Sequence, residues 1–370
     1  MNTKKLVLWQ LKKWLPLIIV TTVALTSFFA IFCLSTSTYH SETAYYYGGT
    51  SIGWTNSPTA GIFYAGFVFT FILPWAALNY HFKKTSADAY RQFPADDRKI
   101  RNIRFLLGFA VLVFGFTIAY LFGMMLFGLR WLSTQEIVQI SENTNRVRNS
   151  YNWVMFIVEY FFMLIAYFLE YSFNAYLISL CGTKNAALVM MLTGNIVLTF
   201  ITFAPFLTIA SSSEIFGLMG GIANYGILFH GTVDAVAIGN SLPDNAVLKA
   251  AYAMGVFDLI VSGGAAYLFL SGREASGEYF GAPGSRYKWA SIIIDASLIV
   301  SLITLGSALS KSGGSWTSSP YLYLLAIPGL ALHYAAISLF NKSGKLTTRG
   351  WIVIASGIVV FLLASVIAMN

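Results

Sequence analysis

Nine stretches of about twenty nearly uncharged residues, at 15–34, 60–79, 104–129, 153–180, 186–210, 246–270, 289–309, 320–340 and 350–369, constrain this chain more than any other feature. About 20 apolar residues at 1.5 Å rise cross the roughly 30 Å hydrocarbon layer of a bilayer. The runs are too long for the roughly ten-residue strands of an outer-membrane barrel, and they show no period of two. They predict an all-α integral membrane protein with about nine transmembrane helices. Only 10% of the 370 residues are charged, against about 25% in an ordinary soluble domain, so a single water-soluble core is excluded.

The first run follows Lys4, Lys5, Lys12 and Lys13, an arrangement shared with signal peptides. Residues 15–34 are longer than a signal h-region, and no small-x-small cleavage site or lipoprotein-type cysteine box follows them. The expectation is an uncleaved helix in the cell membrane. Residues 211–245 are different: they contain Glu214, a Gly-rich stretch from Gly217 to Gly231, His230, Asp234, Pro243 and Asp244.

Charge decides whether that segment spans, because cytoplasmic loops are enriched in Lys and Arg. With a cytoplasmic amino terminus and 211–245 treated as an outer re-entrant hairpin, 18 of the 23 Lys and Arg residues fall inside. Only Arg130, Arg146, Arg148, Lys249 and Lys311 fall outside. A full span there moves Arg273, Arg286, Lys288, Lys342, Lys345 and Arg349 outward and brings in only Lys249 and Lys311. Re-entrant is the better expectation. This distribution between apolar runs also argues against a nucleic-acid-binding face as the reason for the net charge of +8. All nine Trp residues lie at or near expected span ends, as an interfacial belt requires. Cys33 and Cys181 fall at opposite sides, so a disulfide between them is not expected, and neither forms a zinc pattern.

The chain carries no GxxxxGK[ST] phosphate loop and no HExxH, GxSxG or Cys/His cluster. Nothing in it predicts an enzyme, a metal site or a bound cofactor. The most informative segment is the cytoplasmic loop 79–104. Ser86 can cap a short helix from Ala87 to Phe93, Asp88 stands in its first turn, and Pro94 ends it. Such a helix offers Ala89, Tyr90 and Phe93 as an apolar knob between charges that include Arg91 and Arg98. The plainer reading is a basic loop resting on anionic headgroups.

The stretch KKTSADAYRQFPADDRKI resembles the intracellular coupling segment of type-2 ABC exporter permeases of the Firmicutes kind. The matching residues are Lys84, Ser86, Asp88, Tyr90, Pro94 and, displaced by one, Arg98; Gln92-Phe93-Pro94 stands where those permeases have Ser-Leu-Pro. A looser likeness lies at 271–289, on Arg273, Glu274, Gly277 and Glu278. The resemblance covers about residues 1–290. It implies a six-helix permease module over 1–290, with the coupling loop at 79–104 and the re-entrant hairpin at 211–245, followed by three extra helices over 291–370. It further implies that Ser86, Asp88, Tyr90, Arg91, Phe93, Pro94 and Arg98 meet a separate ATPase subunit, which holds the ATP, and that a second permease chain completes the exporter. The implied cargo is an amphipathic antimicrobial peptide or lipid-like molecule.

Charges inside spans each cost at least about 2.5 kcal/mol on insertion scales unless they face protein or water. Glu159 and Glu170 share a face of the fourth run, while Asp258 and Asp295 lie in the sixth and seventh. Glu159, Glu170 and Asp258 are expected either to line a translocation path or to bond neighbouring Tyr, Asn or Ser and fix helix packing. The path reading also admits a proton-coupled secondary transporter. That architecture predicts an inverted internal repeat, and the sequence shows none.

Overall fold

The computed structural model describes residues 3–35, 43–46, 49–52, 58–82, 97–133, 153–207, 246–271, 290–311, 326–345 and 348–367. Among them are nine α-helices: α1 (Thr3–Ser35), α2 (Pro58–Leu78), α3 (Asp97–Ser133), α4 (Trp153–Ser179), α5 (Lys184–Leu207), α6 (Ala246–Ser271), α7 (Ala290–Lys311), α8 (Ala326–Asn341) and α9 (Thr348–Ile367). Each helix falls on one apolar run. Three stretches, Val7–Ile31, Arg98–Leu126 and Tyr160–Ser179, are long and apolar enough to cross a bilayer, and shorter apolar helical stretches accompany them. Leu15, Ile19, Val20, Val23 and Ile31 of α1 are all exposed, a surface that suits lipid rather than water. The chain therefore has the make-up of a helical membrane protein.

Two local features depart from the sequence reading. The expected external loop carries a short antiparallel pair, β1 (Thr43–Tyr46) with β2 (Gly49–Ile52), in which Thr43 faces Ile52 and Tyr46 faces Gly49. Thr, Tyr and Ile are the residue types that favour extended backbone. Helix α3 also begins at Asp97, seven residues before the expected span, so the basic residues Arg98, Arg101 and Arg104 are helical. An acidic residue at a helix start is favoured by the amide dipoles there. The expected short helix 87–93 and the hairpin 211–245 lie outside the described residues.

The chain divides into two compact units. The first comprises 1–73 and 103–168, and a connected set of aromatic rings runs through its interior. Phe116 stacks on Tyr160 at 5.6 Å and meets the edge of Tyr167 at 5.1 Å, while Phe29 stacks on Tyr120 at 6.1 Å. Glycines let the backbones approach these rings: a Cβ on Gly66 or Gly123 would run into the buried Tyr167 or Phe29 ring respectively. The Tyr167 hydroxyl donates to the Ile62 carbonyl at 3.1 Å. Since lipid tails are as apolar as the helices, such close packing and internal hydrogen bonding must hold helices together.

The second unit comprises 74–102 and 169–370. Here α5 packs on α6, α7 and α8, and α7 packs on α8 and α9. Leu298, Leu302, Ala326 and Phe361 form a buried cluster, with Leu330 and Val353 against it. Thr183 caps α5 by accepting the Ala186 amide on its hydroxyl at 3.3 Å. At the end of α8, Lys342 takes a φ of 51° and the Ser343 amide reaches back to the Ser338 carbonyl at 3.2 Å. That closure satisfies an otherwise orphaned carbonyl and turns the chain sharply into α9.

Candidate functional site

Of the residues expected to meet an ATPase, only Arg98 lies within the described part; Ser86, Asp88, Tyr90, Arg91, Phe93 and Pro94 fall outside it. Arg98 stands in the first turn of α3, and its Nε donates to the Leu270 carbonyl at 3.0 Å. Asn102 donates to the same carbonyl at 3.2 Å, and Arg101 donates to the Phe269 carbonyl at 2.8 Å. The Arg101 guanidinium also lies over the Phe269 ring, 5.0 Å from its centroid. Phe269 and Leu270 are in the last turn of α6, where backbone carbonyls lack intrahelical partners and the dipole favours cations. The start of α3 is thus latched to the end of α6 by three side chains. Arg98 and Arg101 are legible in the sequence as positive charges, but their acceptors are backbone atoms and leave no side-chain signal.

Of the expected path carboxylates, Glu170 is buried and accepts the Asn174 amide at 3.0 Å. Asn174 in turn accepts from Asn195 of α5 at 2.6 Å, and Asn195 also donates to the Met191 carbonyl at 2.8 Å. This chain of amides joins α4 to α5 through hydrogen bonds that the bilayer cannot supply. The backbone places Glu159 on α4 and Asp258 on α6, and their side chains lie outside the described part.

A third polar cluster was not foreseen as a unit. Asp295 of α7 is buried, and its Oδ2 pairs with the Arg349 guanidinium from the first turn of α9. Arg349 also donates to the Ser291 hydroxyl at 3.1 Å. On the other side of the carboxylate, His333 Nε2 of α8 stands 3.8 Å from Asp295 Oδ1. Asp295 was visible as an intramembrane acid, whereas Arg349 counted as a loop charge and His333 carried no motif.

Cys181, in the turn between α4 and α5, is a free buried thiol. Burial pushes it up to about 12, which keeps the thiol protonated and a poor nucleophile at neutral pH. Among the described residues no group of three or more His, Cys, Asp or Glu is placed to hold a metal ion. No protein-family model, no curated protein and no solved structure matches the chain.

Proposed function

We propose that this chain is the membrane-spanning permease subunit of an ATP-driven exporter, crossing the cell membrane nine times with its amino terminus in the cytoplasm. A separate ATPase subunit supplies the energy and binds the ATP, and a second permease chain, identical or related, completes the pathway. The cargo is amphipathic, an antimicrobial peptide or a lipid-like molecule. No catalytic site or cofactor is assigned to the chain itself.

The observation that carries this reading is the latch between α3 and α6. The segment from Ser86 to Pro94, which resembles a coupling helix, is followed within a few residues by Arg98, Arg101 and Asn102. These hold the last carbonyls of α6. A push by the ATPase on Tyr90 and Phe93 is therefore delivered to two helices at once, α3 through its backbone and α6 through the latch. A stiff connection of this kind is the physical requirement for converting nucleotide-driven closure into helix movement.

The latch also supports the topology. If α3, α4, α5 and α6 each cross once, the start of α3 and the end of α6 share a face only when residues 208–245 cross an even number of times. A re-entrant hairpin satisfies that condition and a single extra span does not, which is the same preference that the Lys and Arg distribution gives.

Co-purification from native membranes tests the reading. Wild-type protein should retain an ATPase bearing a phosphate loop, identified by mass spectrometry, and the Tyr90→Ala, Phe93→Ala double variant should lose it. Absence of any ATPase from gently extracted wild-type protein overturns the exporter and leaves the carboxylate-driven secondary transporter as the replacement.

A further inference from the structure

The Asp295 cluster contains a group with no structural employment. Both ring nitrogens of His333 are buried without a hydrogen-bond partner among the described residues, and its side chain is only 2% exposed. An unsatisfied buried polar atom costs about 1–3 kcal/mol, so its retention beside a carboxylate points to a second state in which it is satisfied. Asp295 can satisfy it: its side chain is 10% exposed and its Oδ1 stands 3.8 Å from His333 Nε2. Arg349, by contrast, is 51% exposed and sits at the first turn of its helix. A long basic side chain so placed can swing to the interface at small cost, whereas the buried carboxylate must keep a positive partner.

We propose that Asp295 and His333 form a proton-binding site, at which a proton on His333 replaces Arg349 as the partner of the carboxylate and frees the first turn of α9 from α7. The exchange balances. Before it, Asp295 is negative, Arg349 positive and His333 neutral. A proton from interfacial water then adds to Nε2, the imidazolium donates to Asp295 Oδ1, and Arg349 leaves still protonated. The buried pair remains neutral throughout. Adding the proton with Arg349 still in place would instead leave one uncompensated positive charge in the cluster.

No other charge competes for the site within the described helices. Helix α8 packs against α5, α7 and α9. The only charged residue of α5 is Lys184 at its first position, α7 has Asp295 and Lys311 at opposite ends, and α9 has Arg349 alone. On α8 itself Tyr334 is the other titratable group, and its hydroxyl is committed to the Gly344 carbonyl at 2.6 Å. This site is distinct from Glu159, Glu170 and Asp258, and it stands whether or not an ATPase drives the protein.

Side-chain nitrogen NMR on the full chain, labelled with 15N-histidine and 15N-arginine and held in lipid nanodiscs, reads the site directly, with the Arg349 signal identified by its loss in Arg349→Lys. The chain has four histidines, so the signal of His333 is identified by its loss in His333→Gln or, if that variant does not fold, by elimination with His40→Gln, His81→Gln and His230→Gln. The expected result is conversion from a neutral ring to a doubly protonated one on going from about pH 8 to about pH 5, the range in which imidazole changes charge. Asp295→Asn should abolish that conversion, and the Arg349 guanidinium signal should move to a solvent-like position in step with it. A His333 ring that stays neutral at pH 5, or that titrates while Arg349 remains paired, overturns the proposal.

Discussion

The two compact units solve the same problem, helix association without a hydrophobic driving force, with different materials. The first unit interlocks rings and glycines, and Arg104 is its one buried charge among the described residues, set over the Trp14 ring at 5.7 Å. The second buries Arg101, Glu170 and Asp295 together with Asn174 and His333. Ring packing fixes helices in one arrangement, because rings do not interpenetrate and a displaced ring leaves a void. Charge pairs can exchange partners, so a second arrangement costs less. The second unit therefore rests on charge pairs where the first rests on rings, and both the latch and the proposed proton site lie in it.

The sharpest way to break that contrast is Arg349→Ala. At about pH 8, where no proton on His333 takes its place, removing the partner of a buried carboxylate should cost about 3 kcal/mol, at the lower end of the buried-pair range because the arginine is half-exposed; reversible unfolding in nanodiscs measures it. A loss below 0.5 kcal/mol, roughly the level of an ordinary surface change, would show that Asp295 does not depend on Arg349. Gly123→Ala probes the first unit. Its new methyl meets the fully buried Phe29 ring, and such overpacking should cost about 2 kcal/mol.

Two smaller effects sharpen the comparison within the second unit. Arg101→Gln should lose about 1.5 kcal/mol, the weight of a hydrogen bond from a charged donor, by loosening the start of α3 from the end of α6. Asn195→Ala should cost about 1 kcal/mol, and restoring a donor with Asn195→Gln should recover part of it. A separate effect, seen only at high pH, is expected at Cys181. Its folded value lies above the unfolded 9.0, so its contribution to stability is intact below pH 9 and is lost as pH rises from 9 towards 12. At pH 8 a maleimide should leave Cys181 unmodified in the folded protein and label it on unfolding.

The helices were legible because each is a run of apolar residues set apart by charge, and the nine runs recur as nine described helices. Their starts were less so: α3 begins at Asp97 because a basic, amphipathic entry is helical without being apolar, and hydropathy sees only the apolar part. Trp14 shows a related limit. It lies near a span end, where a headgroup position is expected, yet it is buried against Arg104. Partners were the least legible. Arg101 finds the Phe269 carbonyl 168 residues away, and Arg349 finds Asp295 across 54. Nothing local marks either pairing. Only the types of residue that need partners, an acid in an apolar run and arginines at a helix start, could be read in advance.

Sidedness labelling tests the latch, on which both the topology and the coupling rest. Single cysteines are placed at Ser86 and Ser276 in a chain carrying Cys33→Ser and Cys181→Ala, and sealed vesicles of each orientation are treated with a membrane-impermeant maleimide. Labelling of both positions from the cytoplasmic face alone is the predicted result. Labelling from opposite faces would contradict the account, because the start of α3 and the end of α6 could not then meet.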